Sequence, residues 1–253
     1  MSQQELFSSK TKVSSPHSEL QEIANQDPAV LEGVLRAKKM VPFAGVDEAG
    51  RGPLAGPVVA CACVLPKNFS LPGVTDSKQL DEETLETLYT ELVRYPDIDF
   101  SVSIVDHEVI DRINIVQATF QAMRQAISSL KKRPVLAIID GSLAPLGTVP
   151  CLTVVKGDFF CPSVSAASII AKVTRDRLLK EYDVMWPEYG FASHKGYGTP
   201  FHLEKLRLLG PCPIHRKSYA PVQILVAPQQ LAFPFFTEEK PVKLPAGLSR
   251  RKR

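Results

Sequence analysis

The sequence predicts an α/β protein, a sheet flanked by helices, on three observations. Short runs of apolar and β-branched residues recur through the middle of the chain, bounded by glycine, proline or acidic residues. Between and after them lie stretches with apolar residues at helical spacing. Three of the runs lead into carboxylates, at Asp47 and Glu48, at Asp140 and at Asp158, and open α/β sheets collect their ligand groups at strand ends.

The first strand starts at Phe43 and runs through Val46 to the paired acids Asp47 and Glu48. Neighbouring side chains on a strand point to opposite faces, so the two acids share a face only if the backbone turns between them. Gly50-Arg51-Gly52-Pro53 then sets a fixed cation among uncovered backbone N–H groups, a combination suited to a sugar-phosphate backbone. Val58 to Leu65 is a second strand, forming a hairpin with the first and stopped by Pro66. Asp76-Ser77-Lys78 precedes a helix predicted over Asp81 to Tyr95, with Leu85, Leu88 and Leu92 inward and Asp76 or Ser77 as candidate cap. Period-two alternation from Ile98 to Ile104 marks a third strand, and Asp106 to Leu130 reads as helical segments broken at Asn114.

Pro134 to Ile139 is a strand of the fully buried type that ends at Asp140-Gly141, and Leu152 to Lys156 repeats the design before Gly157-Asp158. A long helix is predicted over Ser163 to Trp186, with Ala166, Ala167, Ser168 and Ala171 on a close-packing face and Lys172, Arg175 and Arg177 on another. Pro187 ends it. His194 to Thr199 is a glycine-flanked aromatic loop, and Pro200 to Leu209 a further helix. Residues 1–40 read as an N-terminal extension, partly helical or flexible, 41–221 as the main domain, and 222–253 as a proline-rich, basic, largely disordered tail.

A chain of 253 residues with 44% hydrophobic content can bury a sizeable core. Thirty Lys and Arg against 27 Asp and Glu give +3, which permits a nucleic-acid partner without requiring one. The five cysteines have neither disulfide nor zinc-ligand spacing. No apolar run is long enough to span a bilayer and the N-terminus lacks signal-peptide order, so a cytoplasmic protein without membrane contact is expected.

Four carboxylates brought together repel one another unless a cation lies between them, and hard divalent ions such as Mg²⁺ or Mn²⁺ take oxygen ligands of this kind. Two such ions about 3.5–4 Å apart can hold the attacking and leaving oxygens of a phosphodiester in line. The residues therefore point to hydrolysis of a nucleic-acid backbone. Taken singly, Asp140-Gly141 also reads as an ordinary turn and Asp158 as a turn or helix cap; the recurrence at three strands favours a site.

From Phe43 to Pro221 the chain resembles the type 2 ribonucleases H, the ribonuclease HII family. The motifs are Gly45-Val46-Asp47-Glu48-Ala49-Gly50-Arg51-Gly52, Asp76-Ser77-Lys78, Ile139-Asp140-Gly141, Lys156-Gly157-Asp158, Ser165 to Asp176, and His194-Lys195-Gly196-Tyr197-Gly198-Thr199. The resemblance implies a ribonuclease H-like mixed β-sheet flanked by helices with extra C-terminal helices. It also implies Asp47, Glu48, Asp140 and Asp158 as the catalytic, metal-binding quartet of a two-ion Mg²⁺ or Mn²⁺ site. Gly50, Arg51 and Gly52 would contact the ribose 2′-hydroxyl, which separates RNA from DNA. Tyr197 would stand against the sugar at an RNA-to-DNA junction, and Ser77, Lys78, Asn114, Ser168 and Lys172 would touch phosphates or support the acids. The related type 3 family usually has lysine between the two glycines, so Arg51 argues for type 2; Phe159-Phe160-Cys161 after Asp158 is bulkier than the family pattern.

The expected activity is cleavage of the RNA strand of RNA–DNA hybrids, and of ribonucleotides embedded in duplex DNA, by a monomer that leaves 3′-hydroxyl and 5′-phosphate ends. An actin-like ATPase or phosphotransferase would need a second glycine-rich phosphate loop, which the chain lacks, and a non-catalytic hybrid-binding protein would have no reason to keep four acids. In the tail, Gln230-Leu231-Ala232-Phe233-Pro234-Phe235 resembles the peptides with which bacterial replication and repair proteins dock on the sliding clamp. Leu231, Phe233 and Phe235 would be its anchors and Gln230 its hydrogen-bonding residue.

Overall fold

Five strands among the described residues build one mixed sheet in the computed structural model, which describes residues 16–74, 80–145, 147 and 149–226. They are β1 (Phe43–Ala49), β2 (Val58–Val64), β3 (Asp99–Val105), β4 (Leu136–Asp140) and β5 (Cys151–Val154), in the order β3-β2-β1-β4-β5. The pairs β1–β2 and β2–β3 are antiparallel, whereas β1–β4 and β4–β5 are parallel. The helices are α1 (Pro16–Gln26), α2 (Leu31–Ala37), α3 (Glu82–Arg94), α4 (His107–Ile113), α5 (Ile115–Ser128), α6 (Gly157–Phe160), α7 (Pro162–Met185), α8 (Phe191–His194), α9 (Pro200–Leu209) and α10 (Ala220–Val226).

Strand β2 explains how the layers stack. All seven of its residues are buried, which is why the sequence there is a continuous apolar run and not an alternation. Val58, Ala60 and Ala62 meet Ala118, Ala122 and Met123 of α5 on one face. Val59, Cys61 and Cys63 meet Ala166, Ile170 and Leu92, from α7 and α3, on the other. Each large aliphatic side chain buried in these layers contributes about 1.5–3 kcal/mol.

Helix α7 lies so close to β1 that a Cβ on Gly45 would overlap the backbone of Ser163 and Val164. This approach brings the small-residue face of α7 down beside Asp47. A buried acid from the N-terminal segment caps the same helix: Glu32 Oε1 accepts hydrogen bonds from Ser163 N–H at 2.8 Å and from its hydroxyl at 2.7 Å. Leu20, Leu31 and Leu35 pack with Leu136, Leu152 and Val164, so α1 and α2 are docked on the β4–β5 side of the sheet.

Several sequence expectations shift. Strand β1 continues past Val46, so Asp47 and Glu48 lie inside it. Strand β5 stops at Val154, because Lys156 takes a left-handed conformation at φ 59°, and Asp158 sits in the short helix α6 instead of at a strand end. Helix α3 is capped by Asp81, whose side chain accepts from Thr84 N–H at 2.8 Å; the candidate caps Asp76 and Ser77 lie outside the described residues. Ordered chain runs beyond the expected tail boundary: α10 spans residues 220–226 and buries Val222 against Leu54 and Leu206.

Candidate active site

The parallel register of β1 and β4 sets the site. Val46 pairs with Ile139, so the next residues, Asp47 and Asp140, leave the two strands side by side. Glu48 follows Asp47 in the antiparallel ladder, where Asp47 faces Cys61 and Glu48 faces Ala60, so the two carboxylates leave opposite faces at the same end of the sheet. Asp140 Oδ1 is fixed by Gly157 N–H at 2.7 Å.

Asp47, Glu48 and Asp140 line one open cleft of about 420 Å³, together with Gly50, Arg51, Gly52, Ser168, Lys172 and Tyr197. Burial, then the neighbouring Glu48 and Asp140 charges, hold the Asp47 carboxyl well above its ordinary range, with the Ser168 hydroxyl and the Glu48 amide pulling it partly back. Burial also raises Glu48, against the opposing pull of Arg51, whose Nη1 lies 3.3 Å from Glu48 Oε1.

Asp158 is the exception among the four acids. It is 2% exposed and does not line the cleft, although it directly follows the glycine that holds Asp140. Its carbonyl accepts from the Ser165 hydroxyl at 2.5 Å, tying α6 to α7. Asn114 also lies outside the cleft: at φ 67° it caps α5, accepting from Val116 and Gln117 N–H at 3.0 and 3.1 Å. Lys172 lines the cleft and pairs with Asp176 at 2.7 Å. Ser77, Lys78, Gln230, Leu231, Phe233 and Phe235 lie outside the described residues.

An all-carboxylate donor set whose members raise one another's proton affinity fits a hard divalent cation, which would relieve that repulsion. Among the described residues no group of three His, Cys, Asp or Glu side chains already closes on a single point as a finished cage. Asp47 Oδ1 instead accepts from the Glu48 amide at 2.7 Å, and Glu48 is turned to Arg51.

Two buried arginines shape the glycine loop, and sequence reading missed both roles. Arg216, fully buried, donates to the carbonyls of Gly50 (2.6 Å), Arg51 (3.0 Å), Gly56 (2.9 Å) and Pro57 (3.2 Å). Tyr219 adds its hydroxyl to the Arg51 carbonyl at 2.6 Å. Arg175, expected on a basic face of the long helix, is instead 2% exposed and donates to Pro57, Ala55 and Lys195 carbonyls at 3.0, 3.1 and 3.0 Å. A Cβ on Gly50, at φ 98°, would overlap Arg175 Nε, so glycine is required there on two counts. Tyr197 is half exposed, and its ring lies where a Cβ on Gly52 would touch it at 3.4 Å.

A mixed sheet whose adjacent central strands deliver acids into a cleft walled by a glycine loop and an aromatic is the arrangement of a ribonuclease H-like nuclease. The ribonuclease HII family model matches residues 44–222. A ribonuclease HII from Geobacter sp. is 50% identical over 198 residues, covering 78% of this chain and 85% of that protein. The crystal structure of ribonuclease H2 from Pyrococcus horikoshii superposes with a TM-score of 0.62 at 30% identity, covering 72% of this chain and 96% of that one. The ribonuclease HII of Archaeoglobus fulgidus, solved in complex with PCNA, superposes with a TM-score of 0.61 at 26% identity over 71% of this chain and 95% of that one. The chain belongs to the ribonuclease HII family. It is a metal-dependent endoribonuclease with ribonuclease H activity on RNA–DNA hybrids. No helix among the described residues is long and apolar enough to cross a membrane.

Proposed function

We propose that Asp47, Glu48 and Asp140 hold the metal, with Asp158, buried outside the cleft next to the glycine that fixes Asp140, as a fourth ligand that would have to turn toward it, and that the enzyme cuts single ribonucleotides embedded in duplex DNA as well as hybrids, leaving 3′-hydroxyl and 5′-phosphate ends. One observation carries the reading: the carboxylates Asp47, Glu48 and Asp140 line the same cleft as the Gly50–Gly52 loop and Tyr197. Two Mg²⁺ or Mn²⁺ ions bound there would supply an activated water and positive charge to steady the leaving 3′ oxygen. The chain supplies the rest. Gly50 and Gly52 leave the loop backbone open to a ribose 2′-hydroxyl, a group that DNA lacks. Arg51 and Lys172 offer cations to the flanking phosphates, Ser168 steadies Asp47, and the exposed Tyr197 ring meets the sugar at the junction.

The test is cleavage of a DNA duplex containing one ribonucleotide, with Mg²⁺, with Mn²⁺ and with a chelator, followed by analysis of the product ends. A duplex left intact in both metals, while a long hybrid is cut, sinks the embedded-ribonucleotide reading. Tyr197→Ala should lose at least about tenfold more kcat/KM on the single-ribonucleotide duplex than on a long hybrid, where neighbouring registers remain open to attack. Equal losses on both substrates would remove the junction role.

The Archaeoglobus relative, solved with PCNA, supports a second proposal, docking of residues 230–235 on a sliding clamp. A peptide tether raises the local concentration of the nuclease on newly made DNA. In a titration of the clamp, Leu231→Ala/Phe235→Ala should weaken binding by roughly tenfold or more, as loss of two apolar anchors does. Binding that survives the double change assigns the contact elsewhere.

A further inference from the structure

Behind the cleft, a line of buried imidazoles runs to the loop that carries Tyr197. His202 and His215 are both fully buried, and their Nε2 atoms stand 3.0 Å apart. Two ring nitrogens at that distance need one proton between them, and each ring is fixed from its far side. His202 Nδ1 is 2.8 Å from the Tyr197 carbonyl, which only accepts; the proton is therefore on Nδ1, and Nε2 of the neutral ring is bare. His215 Nδ1 accepts from Cys212 N–H at 3.0 Å, so its proton is on Nε2 and points at His202. The reverse assignment, with His215 Nδ1 donating to the Cys212 carbonyl at 3.2 Å, would set two lone pairs against each other at 3.0 Å.

A third imidazole completes the grip. His194 stacks on His202 with ring centroids 4.4 Å apart, and its Nδ1 accepts from Gly196 N–H at 3.1 Å while Nε2 donates to the Tyr189 carbonyl at 2.7 Å. The loop backbone is thus held at two consecutive residues, Gly196 by its N–H and Tyr197 by its C=O. Burial and then the adjacent His202 push His215 down to about 4, and burial lowers His202 as well, in keeping with two neutral rings at neutral pH.

We propose that His202 and His215 are positioning residues for Tyr197, acting as a one-directional hydrogen-bond chain from the Cys212 amide through both rings to the Tyr197 carbonyl. The inference rests on the reading of Tyr197 as the junction-sensing residue. Its role is to set where the tyrosine ring stands against the ribose, without either histidine touching substrate. Packing alone would not demand this chain, since an aromatic of similar size could fill either position but could not grip the carbonyl.

Two measurements test it. Long-range nitrogen–proton NMR spectra of the full chain at neutral pH should show His202 as the Nδ1–H tautomer and His215 as the Nε2–H tautomer; the opposite tautomer in either ring overturns the chain. Kinetically, His202→Phe keeps the ring packing and removes both bonds, whereas His202→Asn places an amide nitrogen where Nδ1 stood. His202→Phe should lose roughly tenfold in kcat/KM on the single-ribonucleotide duplex, with a smaller loss on a long hybrid, and His202→Asn should recover most of it. In a Tyr197→Ala background, His202→Phe should add little, because residues acting through one another are not additive. Additive losses, or no recovery by asparagine, overturn the positioning role. Should Tyr197→Ala itself prove unselective, the junction reading falls, and the tautomer spectra decide the hydrogen-bond chain separately.

Discussion

Asp140→Asn is expected to leave a folded protein with almost no turnover. Asp140 ends β4 beside Asp47 on the parallel neighbour, and its Oδ1 accepts the Gly157 amide. Asparagine keeps an oxygen for that hydrogen bond and nearly the same volume, so β4 and α6 stay in place. What is lost is one negative charge from a set whose members already crowd each other, and with it a ligand of full strength in the proposed metal site. A loss of roughly a thousandfold in kcat is the expected scale, comparable to losing one preorganised electrostatic contact to a transition state. The check pairs circular dichroism with rates at saturating Mg²⁺; a folded variant that retains near-native rates would falsify the assignment of this acid.

The second large effect is expected far from the acids in sequence. Arg216→Met removes a buried guanidinium that holds four carbonyls of the segment 50–57 while keeping much of its packing. The Gly50 and Gly56 carbonyls lose the donor that holds them, while Arg51 keeps the Tyr219 hydroxyl and Pro57 keeps Arg175; each buried acceptor left without a donor costs about 1–3 kcal/mol. Allowing for partial relaxation, stability should fall by roughly 3 kcal/mol, which lowers Tm by roughly 6–12 °C for a chain of this size. Because the Gly50 carbonyl is released and Arg51 is left with Tyr219 alone, kcat/KM should drop on every ribonucleotide substrate even at temperatures where the variant is folded. Thermal melting and kinetics at a temperature well below the new midpoint separate the two effects. An unchanged melting curve would mean that the carbonyls find other partners.

Much of this was legible in the sequence because the signals were local. The run Val58 to Leu65, bounded by prolines and rich in valine, reads as a strand, and Gly50-Arg51-Gly52 announces a tight, charged turn. The convergence of Asp47 and Asp140 needed only two neighbouring parallel strands. The rest was hidden because it depends on which residues meet across long separations. Arg175 has the helical spacing of a solvated cation, and nothing near it in the chain shows that carbonyls from 55, 57 and 195 will surround it. His202 and His215 stand 13 residues apart, and the motif that singled out Tyr197 stops short of both. Asp158 was misplaced for a different reason: a single left-handed residue, Lys156, ends the strand early, and lysine is a poor signal for that conformation.

The bonds from Arg216 and Tyr219 that fix the glycine loop join residues 159 to 168 positions apart. As the chain leaves the ribosome, the strands bearing Asp47 and Asp140 emerge long before Arg216 and Tyr219 do. The strands that bear these acids can therefore pair before the 50–57 loop acquires the side chains that hold it. A nascent chain lacks the donors that hold residues 50–57 until Arg216 and Tyr219 have been made, so the wall of the cleft facing Asp47 is among the last parts of the molecule to take its final shape.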